Sequence, residues 1–121
     1  MLGAASAGGW AVTTLDPHDP PVAGWPVAVG LTIRQHGVTP VAVEDVAVAV
    51  RRAGGIEQLF PARAVGPVGH YVADVTFPAA GTFTWEARPG WCGPQDLGTV
   101  EIATARPAGQ GFRWPLLVRL A

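Results

Sequence analysis

The 121-residue chain has no lysine and no asparagine, a single serine, a single cysteine and no methionine beyond Met1. All eight of its basic residues are arginine. A phosphate-binding P-loop and a Schiff-base active site both need a lysine, so both are excluded. Without asparagine there is no N-glycosylation acceptor. The one serine, Ser6, sits in the N-terminal arm, which leaves a Ser-His-Asp hydrolase without a plausible nucleophile. Cys92 has no second cysteine to pair with, so no internal disulfide forms and the domain depends on its core alone. Charge is also scarce. Charged residues make up 14% of the chain, where an average soluble domain has roughly 25%. Eight arginines against nine acidic residues give a net charge of -1, without the basic stripe of a nucleic-acid binder.

What the chain does have is apolar residues, 49% of the total, punctuated by 16 glycines and 12 prolines. That is too many helix breakers for a bundle and too much apolar surface for disorder. The length fits one domain with one core. Period-2 alternation recurs throughout. Trp10–Leu15 opens as a strand and Asp16-Pro-His-Asp-Pro-Pro21 stops it. Val27, Val29, Leu31 and Ile33 share one face of the next strand, and Val46, Val48 and Val50 alternate with alanines in the third. Ile56–Phe60 is a short strand ending at Pro61. Tyr71, Ala73, Val75 and Phe77 alternate with polar neighbours, as do Phe83, Trp85 and Ala87, and Val100 and Ile102 close the series. A helix over Val41–Val50 is the alternative there, but its β-branched density and strict alternation favour a strand. The pattern predicts an all-β fold, a seven-stranded antiparallel immunoglobulin-like β-sandwich over residues 9–104, with Val29, Leu31, Ile33, Val48, Val75 and Trp85 buried.

The two ends differ from this body. Residues 1–8 read as a signal-peptide remnant or a flexible arm, because Ala5-Ser6-Ala7 fits the small-x-small pattern of a signal-peptidase site before Gly8. Residues 105–111 have linker composition. Residues 112–121 form an apolar juxtamembrane or docking tail in which Phe112, Arg113, Trp114, Leu117 and Arg119 are candidate contacts. Trp and Arg suit headgroup level, but the tail is far short of the roughly 20 apolar residues that span a bilayer.

The stretch Gly69-His-Tyr-Val-Ala-Asp-Val-Thr-Phe-Pro-Ala-Ala-Gly-Thr-Phe-Thr-Trp85 resembles the G-x-Y-x-A-x-V-x-F-P-x-x-G-x-W pattern of the FixH/YtkA-like family of bacterial extracytoplasmic domains, and Gln35-His-Gly-Val-Thr-Pro40 resembles the corresponding turn. The likeness spans about residues 9–103. It implies a secreted or membrane-anchored protein near respiratory or metal-handling systems. It supplies no catalytic residue. The sequence departs from the pattern in carrying Phe83 after Gly81, with the tryptophan delayed to Trp85, and in having Cys92.

Three groups of residues carry candidate chemistry. In an immunoglobulin-like topology the second strand runs antiparallel to the fifth, and pairing Val27 with Phe77 brings His36 near His70 at the end from which Cys92 projects. Two imidazoles and a thiol would suit copper or zinc. The bland alternative is two rim histidines and a small buried thiol. His18, between two prolines, reads as part of a stiffened turn. Glu44 and Asp45 are adjacent and point to opposite faces, while Glu57, Asp74, Glu86 and Glu101 read as a solvated sheet surface. Among the tryptophans, Trp10 and Trp25 are expected to cover the ends of the core, and Trp91, at a loop tip, is the candidate interface residue. The resulting expectation is a non-enzymatic extracytoplasmic module that docks on a protein partner or membrane complex, with the tail at the membrane surface and no nucleic-acid partner. A copper- or zinc-handling domain using His36, His70 and Cys92, or a small carbohydrate-binding sandwich, is the alternative.

Overall fold

The computed structural model describes residues 4–6, 10–90 and 92–105. Among them are nine strands and no helix: β1 (Ala4–Ser6), β2 (Ala11–Leu15), β3 (Val27–Gln35), β4 (Thr39–Pro40), β5 (Val46–Arg52), β6 (Gln58–Ala64), β7 (His70–Val75), β8 (Gly81–Pro89) and β9 (Gln95–Ile102). The fold is all-β. The seven expected strands are β2, β3 and β5 to β9; β1 and β4 are short additions that pair with β2 and β3. Every strand-to-strand pairing is antiparallel, in the order β1-β2-β3-β7-β6-β5-β8-β9, and the sheet is nearly closed into a barrel-like shape.

The alternating residues set the inside. Val27, Val29, Leu31 and Ile33 of β3 meet Val46, Val48 and Val50 of β5, with Tyr71, Ala73 and Val75 of β7 and Phe83, Trp85 and Ala87 of β8. The six core residues expected from the sequence are all buried. Phe77, just past β7, fills the middle and meets Phe83 edge-on at 5.2 Å between ring centroids. The Tyr71 hydroxyl donates to the Val43 carbonyl at 2.8 Å and accepts from the Val43 N–H at 2.6 Å, which fixes the approach to β5.

Two details depart from the sequence expectation. The β3–β7 register pairs Val27 with Val75 rather than with Phe77. A slip of two residues keeps every side chain on its face, so the inside was assigned correctly although the pairing was not. Strand β6 does not stop at Pro61. Gln58–Pro61 pair with β5, and Ala62–Ala64 then pair with β7. Proline has no N–H for a ladder, and it stands where the strand changes partner.

The seam where β2 faces β9 is closed by side chains. Gln95 is 1% exposed. Its amide N–H donates to the Ala11 carbonyl and its amide oxygen accepts from the Thr13 hydroxyl. Gln95 points inward because of a bulge: Trp85 pairs with Gly98 but Glu86 with Asp96, so Leu97 is the extra residue and the parity of β9 flips beyond it. We expect Gln95→Leu to lower the free energy of unfolding by about 1–3 kcal/mol in urea titrations, the usual cost of stranding a buried polar partner. The double variant Gln95→Leu/Thr13→Val should recover part of that loss, because it removes the stranded hydroxyl as well. A loss in Gln95→Leu no larger than that of an exposed surface substitution would contradict the seam's role.

Candidate functional site

After β2 the chain crosses from the side of β3 to the end of β9. Asp16 N–H still bonds to the Gly30 carbonyl at 2.9 Å, on the β3 side. Five residues later Ala103 N–H donates to the Pro21 carbonyl and Ala23 N–H donates to the Ala103 carbonyl, both at 3.0 Å, and Val22 bridges Ala103 in parallel. The crossing contains Pro17, Pro20 and Pro21, which have no N–H to satisfy on the way. A turn follows, with Trp25 N–H on the Val22 carbonyl at 3.1 Å and Gly24 at a φ of 80° that favours glycine. Gly24 N–H is held by the Phe77 carbonyl at 2.9 Å.

This path leaves a groove of about 620 Å³, lined mainly by Pro20, Val22, Trp25, Pro26, Val27 and Ala103, with Asp19 and Thr104 as its polar groups. Trp25 does not cover the end of the core as expected. It is 64% exposed, because the turn at Gly24 swings it away from the inside and Pro26 holds it there. Trp10, in contrast, packs against the core as the sequence suggested. The signal for Trp25 was its place between Gly24 and Pro26, a turn context that turns a large side chain outward.

An ion pair lies over the outer face of β3. His70 Nε2 lies 2.8 Å from Asp16 Oδ2, and His70 Nδ1 lies 2.7 Å from the Val65 carbonyl. A carbonyl and a carboxylate both accept, so the arrangement favours the protonated ring, which alone can donate to both. The Val65 carbonyl first, and Asp16 second, raise the pKa of His70 above its ordinary 6.5, against the opposing effect of partial burial. The pair lies over Gly30 of β3. A Cβ there would sit 2.4 Å from Asp16 Oδ2 and 3.2 Å from His70 Nε2. Gly30 is therefore the window through which β2 and β7 are strapped together across β3.

The outer face of β5 and β8 carries a second strap. Arg88 binds Glu57 with two hydrogen bonds of 2.6 Å and reaches Glu86 through Nε at 2.8 Å. The Arg88 hydrogen bonds hold the Glu57 carboxyl below its usual range. Ala47 opposes Arg88 and Ala49 opposes Glu86 on β5. These small side chains let the guanidinium pass over β5, which accounts for Ala49 being buried at an outward position. A cleft of about 270 Å³ lies here, bordered by Arg51, Glu57, Thr84, Glu86, Arg88 and Asp96. The reading of Glu57 and Glu86 as scattered surface carboxylates missed their convergence on Arg88, which two-residue spacing on β8 and the alanines of β5 could have signalled.

The candidate metal residues lie toward one end, opposite the Trp25 groove. His36 is exposed in the β3–β4 turn at a φ of 52°, with its N–H on the Trp10 carbonyl at 2.7 Å. His70 pairs with Thr32, four residues back along β3, about 13 Å from the turn. Both ring nitrogens of His70 are already engaged, by the Val65 carbonyl and by Asp16. Cys92 is half-buried against the core, and burial pushes its thiol pKa up. Among the described residues no three His, Cys, Asp or Glu side chains gather in a group that could hold a metal ion. The interface candidates Trp91, Phe112, Arg113, Trp114, Leu117 and Arg119 lie outside the described residues.

The strap over Gly30 makes stability depend on pH in a fixed direction. A raised imidazole pKa stabilises the fold fully below about pH 6.5, and that contribution is lost as pH rises through the raised value. Gly30→Ala should displace Asp16, lower the His70 midpoint observed by NMR while the Val65 carbonyl bond remains, and leave the fold intact. The stability difference between wild type and Gly30→Ala should then shrink as pH rises above 6.5. A His70 midpoint unchanged by Gly30→Ala would mean that the strap is not what raises it.

In comparisons with known proteins, the chain matched no family model and no curated protein.

Proposed function

We propose that this chain is a non-enzymatic, extracytoplasmic, immunoglobulin-like sandwich that docks on a protein partner in a membrane complex, with the Trp25 groove as its contact surface. The observation that carries this reading is a tryptophan 64% exposed beside a groove of prolines and valines. Tryptophan, with tyrosine and arginine, is enriched among the few interface side chains that carry most of the binding energy. The lack of lysine and the single serine of the N-terminal arm favour a binding role over an enzymatic one. The strand order supports the sandwich, since β2-β3-β7 and β5-β8-β9 are the two sets joined by the partner-switching β6. The resemblance of Gly69–Trp85 to FixH/YtkA-like domains points to the same location outside the cytoplasm.

The groove and the tail are close in sequence. Ala103 and Thr104 line the groove, and the apolar segment 112–121 follows eight residues later. A partner at a membrane surface would meet both. Among the described residues no helix is long and apolar enough to cross a membrane. Arg113 and Arg119 suit phosphate headgroups, and Phe112, Trp114 and Leu117 suit the interface beneath them.

A photo-crosslinker at position 25, introduced in a bacterial host of the native protein, should capture one defined subunit of a membrane complex, whereas the same group at Ile56, 89% exposed elsewhere, should not. Trp25→Ala should weaken that association at least tenfold, about 1.4 kcal/mol or more, with unchanged unfolding. Equal capture from positions 25 and 56, or an unaffected Trp25→Ala, would remove the groove from the interface. Deleting residues 112–121 should leave a folded monomer that no longer sediments with anionic phospholipid vesicles. Retained sedimentation would place membrane contact on the sandwich, and loss of folding would make the tail part of the core.

A further inference from the structure

We propose that the tip of the β5–β6 hairpin is a membrane contact of this domain, with Arg51 and Arg52 on the headgroups of anionic phospholipid and Ile56 in the interface beneath them. The proposal rests on the reading of residues 112–121 as a membrane-surface tail, and it adds which end of the sandwich faces the bilayer.

The registers place this tip beside the point where the chain leaves β9. Arg52 of β5 pairs with Phe83 of β8, and Phe83 pairs with Val100 of β9. Gly81, the first residue of β8, pairs with Ile102, the last of β9. Residues 53–56 and 103–105 therefore leave the same end of the sheet, two strand spacings or about 10 Å apart. The tail starts at residue 112, after a linker that spans at most about 25 Å of extended chain. A tail lying on a bilayer thus keeps this end of the sheet within that distance of it.

The tip holds its side chains outward. Gly55 N–H donates to the Arg52 carbonyl at 2.9 Å, and Gly54 has a φ of 72°. A Cβ at Gly55 would lie 3.3 Å from both the Cβ and the carbonyl oxygen of Arg52, so the turn closes this tightly only on glycine. Ile56, the next residue, is 89% exposed, more than any other large apolar side chain among the described residues. The Arg52 guanidinium lies over the Phe83 ring at 5.8 Å from its centroid and beside Gly81, which keeps the charge at the end of the sheet.

The arginines are available for phosphate. Both are exposed, and among the described residues neither forms a salt bridge. The stretch Arg51-Arg52-Ala-Gly-Gly-Ile56 contains no acidic residue. The nearby carboxylates already have partners: Glu57 is bound by Arg88, and Glu101 accepts from the Thr82 hydroxyl. Arginine with an exposed aliphatic side chain suits the headgroup level, where the charge meets phosphate and the hydrocarbon lies beneath it. The other end of the molecule also exposes valines, Val38 in the β3–β4 turn and Val68 before β7. Strand β3 alone separates the two ends by about 26 Å, so both cannot lie on one bilayer. The chain exit and the unpaired arginines favour the hairpin end.

Photo-crosslinking on vesicles tests this. The full chain, with a hexahistidine tag after Ala121 and a photoreactive group at position 56, is held on vesicles by a nickel-chelating lipid. With phosphatidylglycerol in the bilayer, irradiation should add the mass of one phospholipid at position 56, and the same group at position 38 should add none. Exchanging phosphatidylglycerol for phosphatidylcholine, or introducing Arg51→Gln, should lower the yield about fivefold or more. Arg51 is the residue to change because Arg52 also covers Phe83. No adduct at position 56, equal adducts at 56 and 38, or a yield indifferent to either change would overturn the contact. The tag holds the chain at the surface whatever the tail does. A chain that fails to sediment without the tag, yet gives the phosphatidylglycerol-dependent adduct with it, would lose the tail reading and keep the hairpin contact. A chain that sediments but gives no adduct at position 56 would lose the hairpin contact and keep the tail.

Discussion

An antiparallel sheet that curls on itself must do something with its two outer strands, whose backbone groups have no neighbour on one side. Here the outer strands are β1 and β9, and the amide of Gln95 ties β9 to β2, the strand that carries the short β1. Its donor and its acceptor are both used, and both partners belong to β2. A buried amide is costly unless satisfied in full, so this pair of bonds also fixes how the two edges approach. The rest of the fold inherits that position. With the seam set, β2 is committed to β3 up to Asp16, and the chain must then travel to the end of β9 to meet Ala103. The Trp25 groove lies along that crossing.

The outer faces follow a second rule, that a charged side chain can span a strand only over a small residue. Gly30 serves for Asp16 and His70 on one side, and Ala49 serves for Arg88 and Glu57 on the other. Each strap links three strands at a cost in side-chain entropy that an exposed pair rarely recovers. What distinguishes them is geometry. Arg88 makes two parallel hydrogen bonds to one carboxylate, whereas His70 divides its two donors between different segments. The arginine strap cannot lose its proton near neutrality, so it is a fixed tie. The imidazole strap can.

The inside was legible in the sequence because alternation reports the face of a residue directly. Val29, Leu31, Ile33, Val48, Val75 and Trp85 needed no knowledge of pairing to be placed. Register was less legible, since alternation is blind to a slip of two, and Val27 pairs with Val75 rather than Phe77. Gln95 was hidden by a different cause. Counting back by twos from Ile102 puts it on the outside, and only the bulge at Leu97 turns it inward. Trp25 was misplaced because size and apolarity argue for burial, while the φ of Gly24 and the rigidity of Pro26 decide its direction. The His70 partner was beyond reach, as Asp16 is 54 residues away and meets it only because Gly30 has no side chain.

These observations explain why the proline-rich crossing is suited to a contact surface. A regular strand there would have had every donor paired and one conformation. A segment with Pro17, Pro20 and Pro21 has a limited backbone repertoire yet few hydrogen bonds, so it is stiff locally and weakly attached as a whole. Its attachment is concentrated at its ends: Asp16 on Gly30 and His70, and the Pro21–Gly24 turn on Ala103 and Phe77. Segments of low local stability are where a fold can change shape without unfolding. In this chain that property coincides with the most exposed aromatic residue described and with the apolar groove beside it. The same absence of backbone donors that lets the chain leave β3 for β9 thus makes the path of the crossing depend on how its two ends are held.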